Sequence, residues 1–88
     1  ILKQYPSDVN ALFYGGLCYY NLDKPERALQ YFKKVSDSDV NTFHQEGKFY
    51  MALSLRLMGK YGQGNGILHE IVNEGGFYAD QAKALIDQ

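Results

Sequence analysis

The chain has eighty-eight residues, nine basic side chains against ten acidic ones and a formal net charge of −1: one small domain with room for a modest core. That near-cancelled charge argues against a nucleic-acid or anionic-membrane binder, which needs surplus Lys and Arg to neutralise phosphates. No run approaches the ~18 apolar residues of a membrane helix, no signal-peptide pattern is present, and a single Cys cannot staple the fold, which leaves the redox compartment open. Aromatics are plentiful (eight Tyr, five Phe, no Trp), and the chain opens at Ile1 without a Met, as a piece of a longer protein would.

In chain order, Ser7 is a good N-cap for a first helix running to about Asn21. Asp23-Lys24-Pro25-Glu26 opens a second: Asp23 as cap, Pro25 in the first turn where its missing N–H costs nothing, Glu26 as the partner in a capping box. Ser36 to Asp39 break the chain with small and acidic turn formers. A third helix is expected from about Asn41 to Met58, with Gly59 as a left-handed C-cap. The fourth, about Tyr61 to Glu74, is weakened by Gly62, Gly64 and Gly66, each costing about 1 kcal/mol relative to Ala, so its first turns should fray. Gly75-Gly76 stops it, and Phe77 to Asp87 makes a short fifth.

A shift of 36 residues superposes Gly16 on Ala52, Tyr19 on Leu55, Ala28 on Gly64, Phe32 on Leu68 and Val35 on Ile71. Small residues fall on small ones and large apolar ones on large apolar ones. This predicts two helix pairs, with Gly16 and Ala28, then Ala52 and Gly64, small because helices cross there at close backbone approach. Tyr19, Tyr31 and Phe32 would fill the space around the crossing.

The stretches Gly16-Leu17-Cys18-Tyr19 and Ala28-Leu29-Gln30-Tyr31-Phe32 resemble the G-x2-Y and A-x3-F segments of the tetratricopeptide repeat, with the family's twelve-residue gap between Gly16 and Ala28. Pro6 falls ten residues before Gly16, where the closing Pro of a preceding repeat belongs. Leu12 stands in place of the usual Trp, and the 36-residue step exceeds the family's 34, implying a longer turn around Ser36 to Val40. The resemblance implies an all-α fold, an α-α superhelix of two helix-turn-helix repeats plus a terminal helix. Residues 1–6 would be the tail of a preceding repeat, 7–36 repeat one, 41–74 repeat two and 77–88 a terminal capping helix. The repeat stretches also resemble the carboxy-terminal repeat region of certain Bacteroidetes proteins, which implies a cell-envelope setting.

Candidate chemistry is thin. His69-Glu70 begins like H-E-x-x-H, but Asn73 stands where the second imidazole is needed, so no metal site is expected. His44, at the start of the third helix, reads as a surface residue. Cys18 has no His or Lys at helical neighbour spacing to activate it and reads as a core or near-core thiol. GKYGQGNGI lacks the strand, the spacing and the terminal Lys-Ser/Thr of a phosphate loop. Lys33-Lys34 suit a solvated helix C-terminus. No catalytic residue and no cofactor is expected, because no set of nucleophile, base and oxyanion donors assembles.

In tetratricopeptide repeats the first helix of each pair lines the concave wall. By position the resemblance assigns that wall to Asn10, Phe13, Leu17 and Tyr20 in the first unit and to Glu46, Phe49, Leu53 and Arg56 in the second. Such an aromatic and aliphatic wall suits a partner's peptide or helix, with Arg56 able to pair a carboxylate. Apolar stripes are ordinarily core, so Phe13, Leu17 and Leu53 read more simply as packing, and Tyr20 and Arg56 are the stronger contact candidates. Leu17 and Leu53 stand where a clamp on a terminal carboxylate would want polar donors. The expected function is a non-catalytic protein-interaction module; the alternative is a structural or assembly segment of a longer solenoid, prone to self-association through its exposed ends.

Overall fold

The computed structural model describes residues 9–37 and 43–87. Among them the chain forms α1 (Val9–Asn21), α2 (Pro25–Ser36), α3 (His44–Leu57), α4 (Tyr61–Glu74) and α5 (Ala79–Ile86), with no strand in the described residues. Ser7, the tail 1–6, Asn41 and most of the Ser36–Val40 turn lie outside them.

The two corners inside the helix pairs are built alike, and they set the architecture. At the first, the Asp23 N–H donates to the Tyr20 carbonyl (3.1 Å) and the Lys24 N–H to that of Tyr19 (2.9 Å), with Asp23 at φ 61°. At the second, the Gly59 N–H donates to Arg56 (3.0 Å) and the Lys60 N–H to Leu55 (2.9 Å), with Gly59 at φ 82°. Both are Schellman closures, a left-handed residue wrapping the last carbonyls of the first helix. Gly59 is the left-handed cap expected of it. Asp23 is not the cap of α2: it closes α1, where a short polar side chain tolerates the left-handed region. Lys24 then precedes Pro25 with no acceptor on its side chain, so α2 has no side-chain cap and the box with Glu26 does not form.

Gly75 and Gly76, at φ 76° and 96°, end α4 as expected, whereas α5 begins at Ala79, two residues after Phe77. Each helix packs on the next in the chain, and the molecule is elongated, 45 × 26 × 16 Å. Two apolar clusters result. One joins Val9, Leu12 and Phe13 of α1 to Ala28, Phe32 and Val35 of α2; the other joins Phe49 and Ala52 of α3 to Leu68 and Ile71 of α4 and Ala82 of α5.

The small residues at the crossings work in two ways. In the first pair the rings of α2 lie on the glycines of α1. A Cβ on Gly16 would sit 2.6 Å from the Phe32 ring, and one on Gly15 would sit 2.8 Å from the Tyr31 ring. In the second pair backbone approach is the reason, since a Cβ on Gly64 would lie 2.9 Å from the Ala52 carbonyl oxygen. Glycine under phenylalanine in one unit thus becomes Ala52 and Leu68 in the other, a methyl gained where a ring is lost. Tyr19 and Tyr31 fill the space beside the first crossing, with ring centroids 5.3 Å apart.

Cys18 is exposed, not a core thiol. The covered face of α1 carries Leu12, Phe13 and Gly16, and one residue beyond Leu17 the helix has turned away from it. His44 does start α3, but it is half-buried, and its Nδ1 is enclosed without a hydrogen-bond partner.

Gly16→Ala should lower stability: overpacking against the fully buried Phe32 costs about 1–3 kcal/mol, more than the ~1 kcal/mol that helix propensity returns. In a Phe32→Leu background, which reproduces the Ala52–Leu68 pairing, the same substitution should be neutral or stabilising; urea midpoints of the four proteins in this cycle check it. Asp23→Gly should raise stability by up to about 1 kcal/mol, read as a higher urea midpoint, because glycine holds the left-handed corner without a Cβ penalty.

Candidate interaction surface

The first helices of the pairs meet through side chains. The Tyr50 ring of α3 lies edge-on to Phe13 (5.9 Å) and Tyr20 (5.7 Å) of α1 and against Phe32 of α2 (5.4 Å). Phe13 also stacks on Phe43, the residue just before α3, at 4.7 Å and 8°. One unit on, Phe49 packs against Tyr78, the residue just before α5, at 4.8 Å. An aromatic on each first helix therefore meets an aromatic at the start of the next. The arrangement sets α1, α3 and α5 side by side.

On this layer the eight wall residues fall into unlike environments. Asn10 is exposed at the start of α1 and Leu17 is half-buried. Tyr20 is half-buried, and burial, then the neighbouring Tyr50, raise its phenol pKa. Phe13 and Phe49 belong to the core, 4% and 6% exposed. Leu53 is half-buried against the second cluster. Glu46 accepts a hydrogen bond from the Tyr78 hydroxyl (3.0 Å). Arg56 donates to Asn65 Oδ1 (3.0 Å) and to the Leu85 carbonyl (3.3 Å), with its guanidinium 5.4 Å from the Tyr61 ring centre. On α3, then, the polar members of the wall hold α5, while on α1 Asn10, Leu17 and Tyr20 retain contactable surface.

Three residues that matter here escaped sequence reasoning. Gln45 clamps the turn into α5, donating from Nε2 to the Gly75 carbonyl (2.7 Å) and accepting the Tyr78 N–H (3.2 Å). A Cβ on Gly76 would come within 3.0 Å of its amide oxygen, so this turn needs glycine for space as well as for φ. Lys48 is only 12% exposed and bridges Glu70 (2.9 Å) and Glu74 (2.6 Å) of α4. Burial pulls the Lys48 pKa down, but hydrogen bonds with Glu74 and Glu70 outweigh it and the net shift is upward; the same hydrogen bond holds Glu74 below the usual carboxylate range. The i, i+4 spacing of Glu70 and Glu74 was the available signal, since it puts both carboxylates on one face of α4. Tyr50 was also findable, as the 36-residue counterpart of Tyr14.

Among the described residues no cluster of His, Cys, Asp and Glu could hold a metal ion, and none of their helices is long and apolar enough to cross a membrane. Burial, then the hydrogen bond to Glu46, push the Tyr78 phenol up to about 12. A raised folded-state value stabilises the fold fully below the ordinary tyrosine pKa of about 10, and the contribution is lost as pH climbs through the folded value. Phenolate absorbance should show Tyr78 ionising late; Glu46→Gln should bring that ionisation earlier and move alkaline loosening of α5 to lower pH.

Residues 10–40 match the family model of the tetratricopeptide repeat. The matched stretch holds α1, α2 and the corner between them, and the 36-residue superposition carries the same plan into α3 and α4. Neither the curated proteins nor the solved structures searched contain a match.

Proposed function

The chain being a tetratricopeptide-repeat protein, we propose that it is a non-catalytic module that holds an extended or helical segment of a partner protein against its first-helix layer. Repeats of this family generally mediate protein–protein interaction and are generally non-catalytic. The observation that carries the reading is the set of ring contacts from Phe13 and Tyr20 of α1 to Tyr50 of α3, which aligns the first helices into one surface. Stacked units of this kind present such a surface as an extended wall.

On this wall Asn10, Leu17 and Tyr20 make the direct contacts, with Leu53 continuing the apolar strip. Phe13 and Phe49 support it from within. Glu46 and Arg56 sit at its α5 end, where each already holds that helix and offers a partner only its remaining polar surface. Tyr20 is the anchor: a tyrosine gives large contact area for few rotamers frozen. A second reading, a structural segment of a longer helical array, is favoured by the exposure of Tyr14 at 58%.

Because Arg56 also ties down α5, the cleaner test is at Tyr20. On a peptide array probed with the purified chain, Tyr20→Ala should weaken selected peptides by about 30-fold, or about 2 kcal/mol, while Tyr20→Phe stays close to the parent. Peptides bound equally by all three proteins would remove Tyr20 and the α1 wall from the binding surface.

A further inference from the structure

The wall carries one carboxylate, and it stands among phenols. Glu46 is half-buried on α3, one turn before Tyr50, and its Oε2 accepts the Tyr78 hydroxyl at 3.0 Å. Among the described residues the ion pairs join Lys48 to Glu70 and Glu74, and Lys83 to Asp87, so no cation compensates Glu46. Tyr20 of α1 adds a further phenol, its ring 5.7 Å from that of Tyr50. Burial raises the Tyr20 pKa and, with the Glu46 hydrogen bond, that of Tyr78; the Tyr50 phenol then raises each further, which places its oxygen near both.

These groups share one preference. A half-buried carboxylate without a counter-charge is costly, ring faces are negative, and phenol oxygens accept hydrogen bonds. All of them suit a cation. Arg56, the basic member of the wall, does not supply it: it lies about 15 Å further along the α3 axis and is engaged with Asn65, the Leu85 carbonyl and the Tyr61 ring. We propose that the Glu46–Tyr50–Tyr78 corner receives an arginine side chain of the partner segment. The proposal rests on the reading of the first-helix layer as a peptide-binding wall and specifies the segments it takes, which are basic. A guanidinium suits the corner better than an ammonium, because its plane can lie on a ring while its N–H groups reach Glu46 Oε1 and a phenol oxygen. An acidic segment would bring a second carboxylate to the half-buried first, and like charges there repel.

The test uses short peptides of mixed apolar and small polar residues with one position set to arginine, to citrulline (the same shape without the charge) or to glutamate. The purified chain should bind the arginine set about tenfold more tightly than the citrulline set and the glutamate set most weakly. In Glu46→Gln, whose amide oxygen still accepts from Tyr78, the arginine preference should disappear while the citrulline peptides bind as before. Binding that depends on Tyr20 but shows no preference for arginine over citrulline would overturn this inference and leave the peptide-binding reading standing. A preference lost in Glu46→Gln but indifferent to Tyr20→Ala would support the corner and remove Tyr20 as the anchor. A preference that survives Glu46→Gln would overturn the inference, since another acceptor would then hold the guanidinium. Capture of none of the three sets would overturn both.

Discussion

Tyr50 is the ring on which the two units meet. It touches Phe13 and Tyr20 of the first helix, Phe32 of the second and Phe49 of its own, all with centroids under six ångströms away. Each such pair contributes about 0.5–1.5 kcal/mol beyond area burial, and here they share one side chain, so the links between units rise and fall together. In a chain where each helix packs chiefly on its sequence neighbours, that cluster, with Val35 of α2 against Gly47 of α3, joins the two hairpins into one continuous body.

Around this hub the seams follow a rule of compensating size. Gly16 lies beneath the ring of Phe32, while Ala52 corresponds to Gly16 and Leu68 to Phe32; Val35 fills the site that a Cβ on Gly47 would need. Close packing tolerates neither a void nor an extra methyl, so where the ring of Phe32 becomes Leu68 the glycine beneath it becomes Ala52. This is why the second pair keeps the sizes of the first better than its residues.

The polar groups divide the labour differently. Those of α3 face inward along the chain: Gln45 and Glu46 hold the start of α5, Arg56 reaches the Leu85 carbonyl near its end, and Lys48 ties α3 to α4. A short helix of eight residues has little stability of its own, and these ties, with Ala82 in the core, keep it docked. The layer of first helices is therefore firm toward α5 and retains its contactable aromatic surface toward α1, where Tyr14 and Tyr20 are placed.

Helix number, the two-pair plan, the glycine stops and the 36-residue step were all legible in the letters, because they follow from local propensity and from the spacing of small and large residues. Family resemblance in Gly16, Tyr19, Ala28 and Phe32 pointed to the same plan. What the letters could not show is which partner each side chain meets. Asp23 looked like a cap for α2 because a capping residue and a left-handed closing residue draw on the same short polar types; only the backbone path, with φ at 61°, assigns it to α1. Cys18 looked like core because its neighbours are apolar, yet it lies exposed on α1 while its 36-residue counterpart Ser54 is fully buried, a difference that no local pattern encodes. Of the wall residues, Phe13 already read more simply as packing, and Tyr20 and Arg56 as contacts, but the letters did not separate Tyr20 from Glu46 and Arg56 by what each touches. Tertiary packing left Tyr20 on half-exposed surface and gave Glu46 and Arg56 to the grip on α5, because those fates are set by contacts between residues far apart in the chain.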